Sequence, residues 1–154
     1  MARVERNAVW VIGLLVLLVL GVTVWTVFSN WRSNTRVYVG DVVIDAKIVR
    51  TPEDRERGLG GTTKLKPKQG MLFVFAEDKP WSIWMKDMLV PIDAIWLNKD
   101  KKVVHIIKNI SPDSFPETFE PKTDARYILE VPAGTAEANK VIIGKQASFE
   151  LPTY

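Results

Sequence analysis

The sequence predicts a mainly β domain, a β-rich α+β fold built as a small barrel or folded sheet with one or two short helices, preceded by a single transmembrane helix. Three observations lead there. An uncharged run from Ala8 to Phe28 carries fourteen Val, Ile, Leu or Phe residues. Beyond it, short segments alternate apolar and polar residues with the period of two expected of strands, and turn pairs such as Gly40-Asp41 separate them. Helix signals are confined to two brief stretches.

The apolar run is read as an anchor. As a helix with about 1.5 Å rise per residue it spans roughly 30 Å, the thickness of a bilayer's hydrocarbon core. Its apolar residues favour insertion by about 4–8 kcal/mol. Trp10 stands at one end and Trp25 and Trp31 at the other, where indoles prefer the headgroup level. A cleaved signal peptide would have a shorter apolar core and small residues at a cleavage site. This run ends in Thr-Val-Phe-Ser-Asn instead. Arg3 and Arg6 on one side nearly balance Arg32 and Arg36 on the other. The short N-terminal tail most simply stays in the cytoplasm while the long part is translocated. The expected organisation is a cytoplasmic tail over 1–7, an anchor over 8–28, a linker over 29–36 and an extracytoplasmic domain over 37–154.

After Trp31 the chain has 19 basic and 17 acidic residues, too even a balance for a nucleic-acid footprint. It has no cysteine, which excludes disulfides, thiolate metal sites and cysteine nucleophiles.

Val37–Val39 and Val42–Val49 read as a hairpin, with Val42, Ile44, Ala46 and Ile48 facing a core. Thr51-Pro52-Glu53-Asp54 is a helix start: a capping hydroxyl, a proline suited to the first helical position, and two acids at the positive end of the dipole. Gly58, Gly60 and Gly61 end that helix. A phosphate-cradling loop would need its glycines to open a helix and to be followed by Lys-Thr, so a C-cap and tight turn is the better reading.

The stretch from Gly70 to Leu97 holds three of the four methionines and three of the six tryptophans. In Gly70–Phe75, Met71, Phe73 and Phe75 face one way and Leu72 and Val74 the other, the mark of a central strand. In Trp81–Lys86, Trp84 shares a polar face with Ser82 and Lys86; it reads as a ligand platform or as the filler of a second small cluster. Pro91–Leu97 and Lys102–Lys108 form a hairpin. Asp93 is the one acid in its strand and is expected to accept backbone hydrogen bonds from the Lys86–Val90 turn, since a buried carboxylate without partners is costly. His105 shares a face with Val103 and Ile107 and reads as a packed residue. Ile110 to Arg126, rich in proline and acids, is a long connection with Phe115 and Phe119. It is read as a lid over the central stretch or as a plain covering strap. Tyr127–Val131 is a strand with Glu130 opposite Tyr127 and Leu129. A helical turn or two over Ala133–Asn139 and strands over Val141–Ile143 and Gln146–Leu151 complete the domain.

In order, the chain contains Arg57-Gly58-Leu59, Gly70-Met71-Leu72-Phe73, Trp84-Met85-Lys86, Pro91-Ile92-Asp93, Leu129-Glu130 and Ala133-Gly134. Together these resemble the domain of unknown function 192 family over about Val42 to Leu151. The resemblance implies a compact, mainly β domain, often exported or membrane-anchored, and brings no established activity. Gly60-Gly61-Thr62 stands where the family usually has Met or Ser followed by Arg, and Gly144-Lys145 where a Gly-Asp pair is usual.

Four functions fit these residues. The first is an extracytoplasmic binding module for a small molecule, a glycan or another envelope component, with Trp84 as a stacking platform and Lys86, Asp87, Asp93 and Glu130 as polar contacts. The second is a Cu(I) site built from Met71, Met85, Met88 and His105 with Trp84 beside them, since thioethers and imidazole suit that ion. The third is a hydrolase using Asp93 and Glu130 as a carboxylate pair. No nucleophile elbow or metalloprotease motif accompanies them, so an enzyme ranks below a binding module. The fourth is docking on an envelope protein through an apolar patch around Trp84. No cofactor and no nucleic-acid partner are expected.

Overall fold

The structure, a computed structural model, describes residues 13–22 and 34–152. The chain divides into two units, Met1–Ser33 and Asn34–Tyr154. In the first, residues 13–22 form a helix, α1. The rest of the expected anchor, 8–12 and 23–28, lies outside the described residues, as does most of the expected linker. No helix among the described residues is long and apolar enough to cross a membrane.

The second unit contains β1 (Asn34–Val39), β2 (Val42–Val49), α2 (Pro52–Arg57), β3 (Gln69–Lys79), β4 (Ile83–Trp84), β5 (Ile92–Leu97), β6 (Val103–Ile110), a single 3-10 turn (Pro112–Ser114), β7 (Thr118–Phe119), β8 (Ala125–Pro132) and α3 (Thr135–Ala138). Six strands form one mixed sheet in the order β1-β2-β3-β8-β5-β6, and β4 pairs with β7 in a separate two-stranded sheet. Only β2 and β3 run parallel; the other ladders are antiparallel.

The sheet is open, and the expected barrel is not formed. Its edge strands β1 and β6 are instead joined by the C-terminal segment. Tyr38 and Ser148 exchange backbone hydrogen bonds at one edge, and Val103 pairs with Gly144 and Lys145 at the other. The strands expected over 141–143 and 146–151 reduce to isolated bridges, Tyr38 with Ser148 and Lys102 with Gln146. A chain crossing from edge to edge cannot run a ladder along either one. It still occupies edge amides that would otherwise invite pairing with another chain.

Each face of the sheet carries its own core. One holds Ile44, Ala46, Leu72, Ile95, Leu97, Leu129 and Val131 under Ala136, Val141, Ala147 and Phe149. The other holds Met71, Phe73, Ala94, Trp96 and Ile128 under Leu59, Ile83, Met85 and Met88. β3 is central as its two apolar faces require. Gly70, its second residue, has no room for a side chain, because a Cβ there would meet the Glu130 carbonyl at 2.5 Å and Ile44 at 2.8 Å. Between the parallel β2 and β3, α2 begins as its sequence predicts: the Thr51 side chain accepts from the Asp54 amide, and Glu53 and Asp54 occupy the first turn.

Asp93 is fully buried and ties the end of β6 to the start of α3 through three backbone amides. Its Oδ1 accepts from the Asn109 and Gly134 amides at 2.9 and 3.2 Å, and its Oδ2 from the Ala136 amide at 2.8 Å. The backbone role expected of it is correct, but its donors are these amides and not the Lys86–Val90 turn. Replacing Asp93 with Ala leaves three amides short of an acceptor and is expected to cost about 2–4 kcal/mol, measured by urea denaturation. A loss below about 1 kcal/mol would contradict this role.

Candidate functional site

Alternation along β8 places Glu130 on the opposite face from Leu129 and Val131. In the ladder it lies across from Met71 of β3 and Ala94 of β5, both members of the second core. The residue is 5% exposed. Among the described residues, its Oε2 is the one buried side-chain oxygen or nitrogen with no hydrogen-bond partner. Burial pushes the carboxyl up to about 8 from an ordinary 4.5, because a desolvated carboxylate is disfavoured relative to its neutral acid.

Glu130 borders a cavity of about 260 Å3. The walls are apolar: Leu59, Phe73, Phe75, Trp81, Ile83, Trp84 and Met88. Phe75 and Trp81 stack with centroids 4.2 Å apart. Trp81 is held further by the Trp96 indole, which donates to its carbonyl at 2.8 Å. β7 closes one side by pairing Thr118 with Trp84 and Phe119 with Ile83, and Thr118 lines the cavity. Part of the long 110–126 connection is therefore a strap over the site. Phe115, on the same connection, meets Trp84 edge to face at 6.3 Å.

The outer wall is charged. Arg55, Glu56 and Arg57 come from α2 and Lys86 from the turn after β4. Lys86 lies 3.6 Å from Glu56 and 5.6 Å above the Trp84 ring. Arg55 lies 4.9 Å over Phe75 and donates to the carbonyls of Arg50 and Val74. Gly60 brings the glycine loop against the Lys86-Asp87 turn. A Cβ there would meet the Arg57 carbonyl at 2.9 Å, and the Gly61 amide donates to the Asp87 carbonyl at 2.8 Å.

Of the residues singled out for ligand contact, Trp84, Lys86 and Glu130 line this one cavity. Asp87 borders a shallower cleft beside it, together with Glu53, Gly60 and Gly61. Asp93 is not in the cavity. In the β5–β8 ladder it lies across from Val131 while Glu130 lies across from Ala94, so the two acids point to opposite faces of the sheet and form no carboxylate pair. In the soft-metal set, Met71, Met85 and Met88 are buried in the second core, and only Met88 reaches the cavity wall. His105 packs against Trp96 with centroids 5.4 Å apart. Burial, and Lys122 nearby, lower its pKa. Among the described residues no group of three His, Asp or Glu is placed to hold a metal ion.

Arg55, Arg57, Phe73, Phe75, Trp81 and Thr118 line the cavity as well, beyond the candidates that the sequence marks for the site. The face shared by Phe73 and Phe75 was legible. That Glu130 sits on the same face required the β3–β8 register.

Fold and cavity define an open mixed-sheet domain whose second core is hollowed beside a buried acid. The chain belongs to the DUF192 family, described as Uncharacterized ACR, whose model matches residues 35–149. Two solved structures share the fold. A protein from Sinorhizobium meliloti 1021, described as a "putative transcription regulator", is 27% identical with a TM-score of 0.70, over 75% of this chain and 92% of its own. A protein of unknown function from Novosphingobium aromaticivorans DSM 12444 is 22% identical with a TM-score of 0.69, over 75% of this chain and 83% of its own. A comparison with curated proteins finds no match.

The raised pKa of Glu130 sets a stability profile. The unfolded chain releases this proton near 4.5 and the native state near 8. Between those values the native state holds a proton that the unfolded chain has lost, so stability falls as pH rises and levels off above the upper value. At pH 7 the cost is on the order of 3 kcal/mol. Glu130→Gln keeps the shape and removes the ionisation. Measured by urea denaturation, its stability relative to wild type is expected to improve by roughly 2 kcal/mol or more from pH 5 to pH 8. An advantage that does not change with pH would contradict the assignment.

Proposed function

We propose that this chain is a membrane-anchored, extracytoplasmic small-ligand-binding protein whose site is the cavity beside Glu130. One observation carries the reading: Glu130, a buried carboxyl with an unpartnered oxygen, lines an apolar, aromatic-walled cavity. Such an oxygen costs free energy in the empty protein, and a ligand that bonds to it recovers that cost. A concave apolar surface with few convergent polar groups is the usual form of a small-molecule site.

The anchor part rests on the uncharged 8–28 run and its flanking tryptophans. The regulator description of the Sinorhizobium protein finds no counterpart in the nearly even charge after Trp31. Docking of an envelope protein is a second reading, supported by Trp84 and Phe115, 42% and 46% exposed beside the cavity.

A fragment set of small aromatic acids, amines and neutral amides, screened by NMR against the full-length chain, tests the proposal. Binders are expected to shift the amides of Leu59, Trp84 and Glu130 together. Trp84→Ala is expected to weaken them about tenfold or more while the amide spectrum stays folded. Hits scattered over the surface, or none, would overturn it.

A further inference from the structure

Resting on that cavity as a ligand site, we infer the class of its ligand: a small amphipathic anion, with a neutral carbonyl-type acceptor at its inner end, a compact apolar body, and an acid group at its outer end.

The inner end is set by Glu130. Its Oε2 is buried and has no partner, and no cation of the domain pairs with it among the described ion pairs. With the carboxyl pushed up to about 8, the group facing the cavity at neutral pH is mostly the acid. It can donate its proton to an acceptor, as a buried neutral carboxyl does at some catalytic oxyanion sites.

The aromatic walls could instead suggest an organic cation caged by rings. The protein's own cations argue against that. Arg55 lies over Phe75, Lys79 over Trp81 and Lys86 over Trp84, at 4.9 to 5.6 Å. Each of these rings already has a resident cation, and an incoming cation would meet them as like charges. The rings therefore contribute apolar surface.

The outer end is set by charge. Around the cavity stand Arg55, Arg57 and Lys86 against Glu56, with Glu130 neutral. Arg57 is largely exposed and only loosely paired with Asp54 at 3.9 Å, and Lys86 is held by Glu56 at 3.6 Å. Both can turn to an acid group at the opening without leaving a buried charge behind.

Three probes of similar size separate these elements in calorimetry on the full-length chain held in nanodiscs, with empty nanodiscs as reference. 4-Acetylbenzoate carries both the acid and the inner carbonyl. 4-Isopropylbenzoate has the same shape without the carbonyl. 4-Acetylbenzylamine keeps the carbonyl and reverses the charge. At pH 6.5, 4-acetylbenzoate is expected to bind at least about tenfold more tightly than either of the others. Its advantage over the isopropyl compound is expected to disappear above about pH 9, when Glu130 loses its proton. In Glu130→Gln, whose amide also donates, the advantage is expected to persist at both pH values.

Equal binding of the two benzoates, or preference for the amine, would overturn the ligand class and leave the cavity as a binding site. An acetyl preference unchanged by pH in the wild-type chain would remove Glu130 from recognition. No binding by any of the three would also overturn the inference. The fragment screen, which includes neutral amides and other amines, reports on the cavity separately.

Discussion

A carboxyl group taken out of water must find donors or give up its charge, and this domain contains one acid that does each. Asp93 and Glu130 stand on neighbouring strands of one sheet and both are buried. Asp93 receives three backbone amides and serves the fold. Glu130 has a vacant oxygen and a pKa raised by desolvation. Its proton takes the place of a partner, and the neutral acid stands in the lining of an apolar cavity. The two roles differ because of environment, since the chemistry of the two side chains is nearly the same.

The scaffold maintains that difference through sheet geometry. A strand alternates its side chains between faces, so the β5–β8 register sends Asp93 to the face covered by α3 and the C-terminal segment, and Glu130 to the other. On the first face, the register shift near Asn109 in β6 and the N-terminal end of α3 at Gly134 and Ala136 supply amides. The second face is roofed mainly by side chains from the Leu59 loop, the β4 region and the β7 strap. Side chains such as Leu59, Ile83 and Met88 offer no donors. Hollowing within this roof produces a cavity with one acid and many carbon atoms, bordered by the charged residues of α2 and the turn after β4.

Local signals in the sequence were reliable where one element decides the outcome. The β2 alternation, the Thr51-Pro52 helix start and the two apolar faces of β3 all describe the observed elements. The family blocks acquire physical meaning in the structure: Gly70 permits close approach to Ile44 and β8, and Asp93 joins the Pro-Ile-Asp and Ala-Gly blocks. Outcomes that depend on long-range pairing were not legible. The tail after Val141 is apolar enough to read as strands, yet it crosses between two sheet edges. The proposed Asp93–Glu130 pair failed because only the register reveals their opposite faces. Trp84 stands out in sequence on a polar face shared with Lys86, and Arg57 belongs to the Arg-Gly-Leu block, whereas Arg55 and Thr118 carry no mark in sequence and join the cavity through the fold.

The most direct test of this account is the titration of Glu130 itself, followed through its side-chain carboxyl carbon by NMR in the full-length folded chain. A midpoint near 8, within about one unit, is expected. A midpoint near 4.5, where an ordinary glutamate titrates, would show that water or a partner reaches the carboxylate. The buried acid at the centre of the site would then be wrongly assigned.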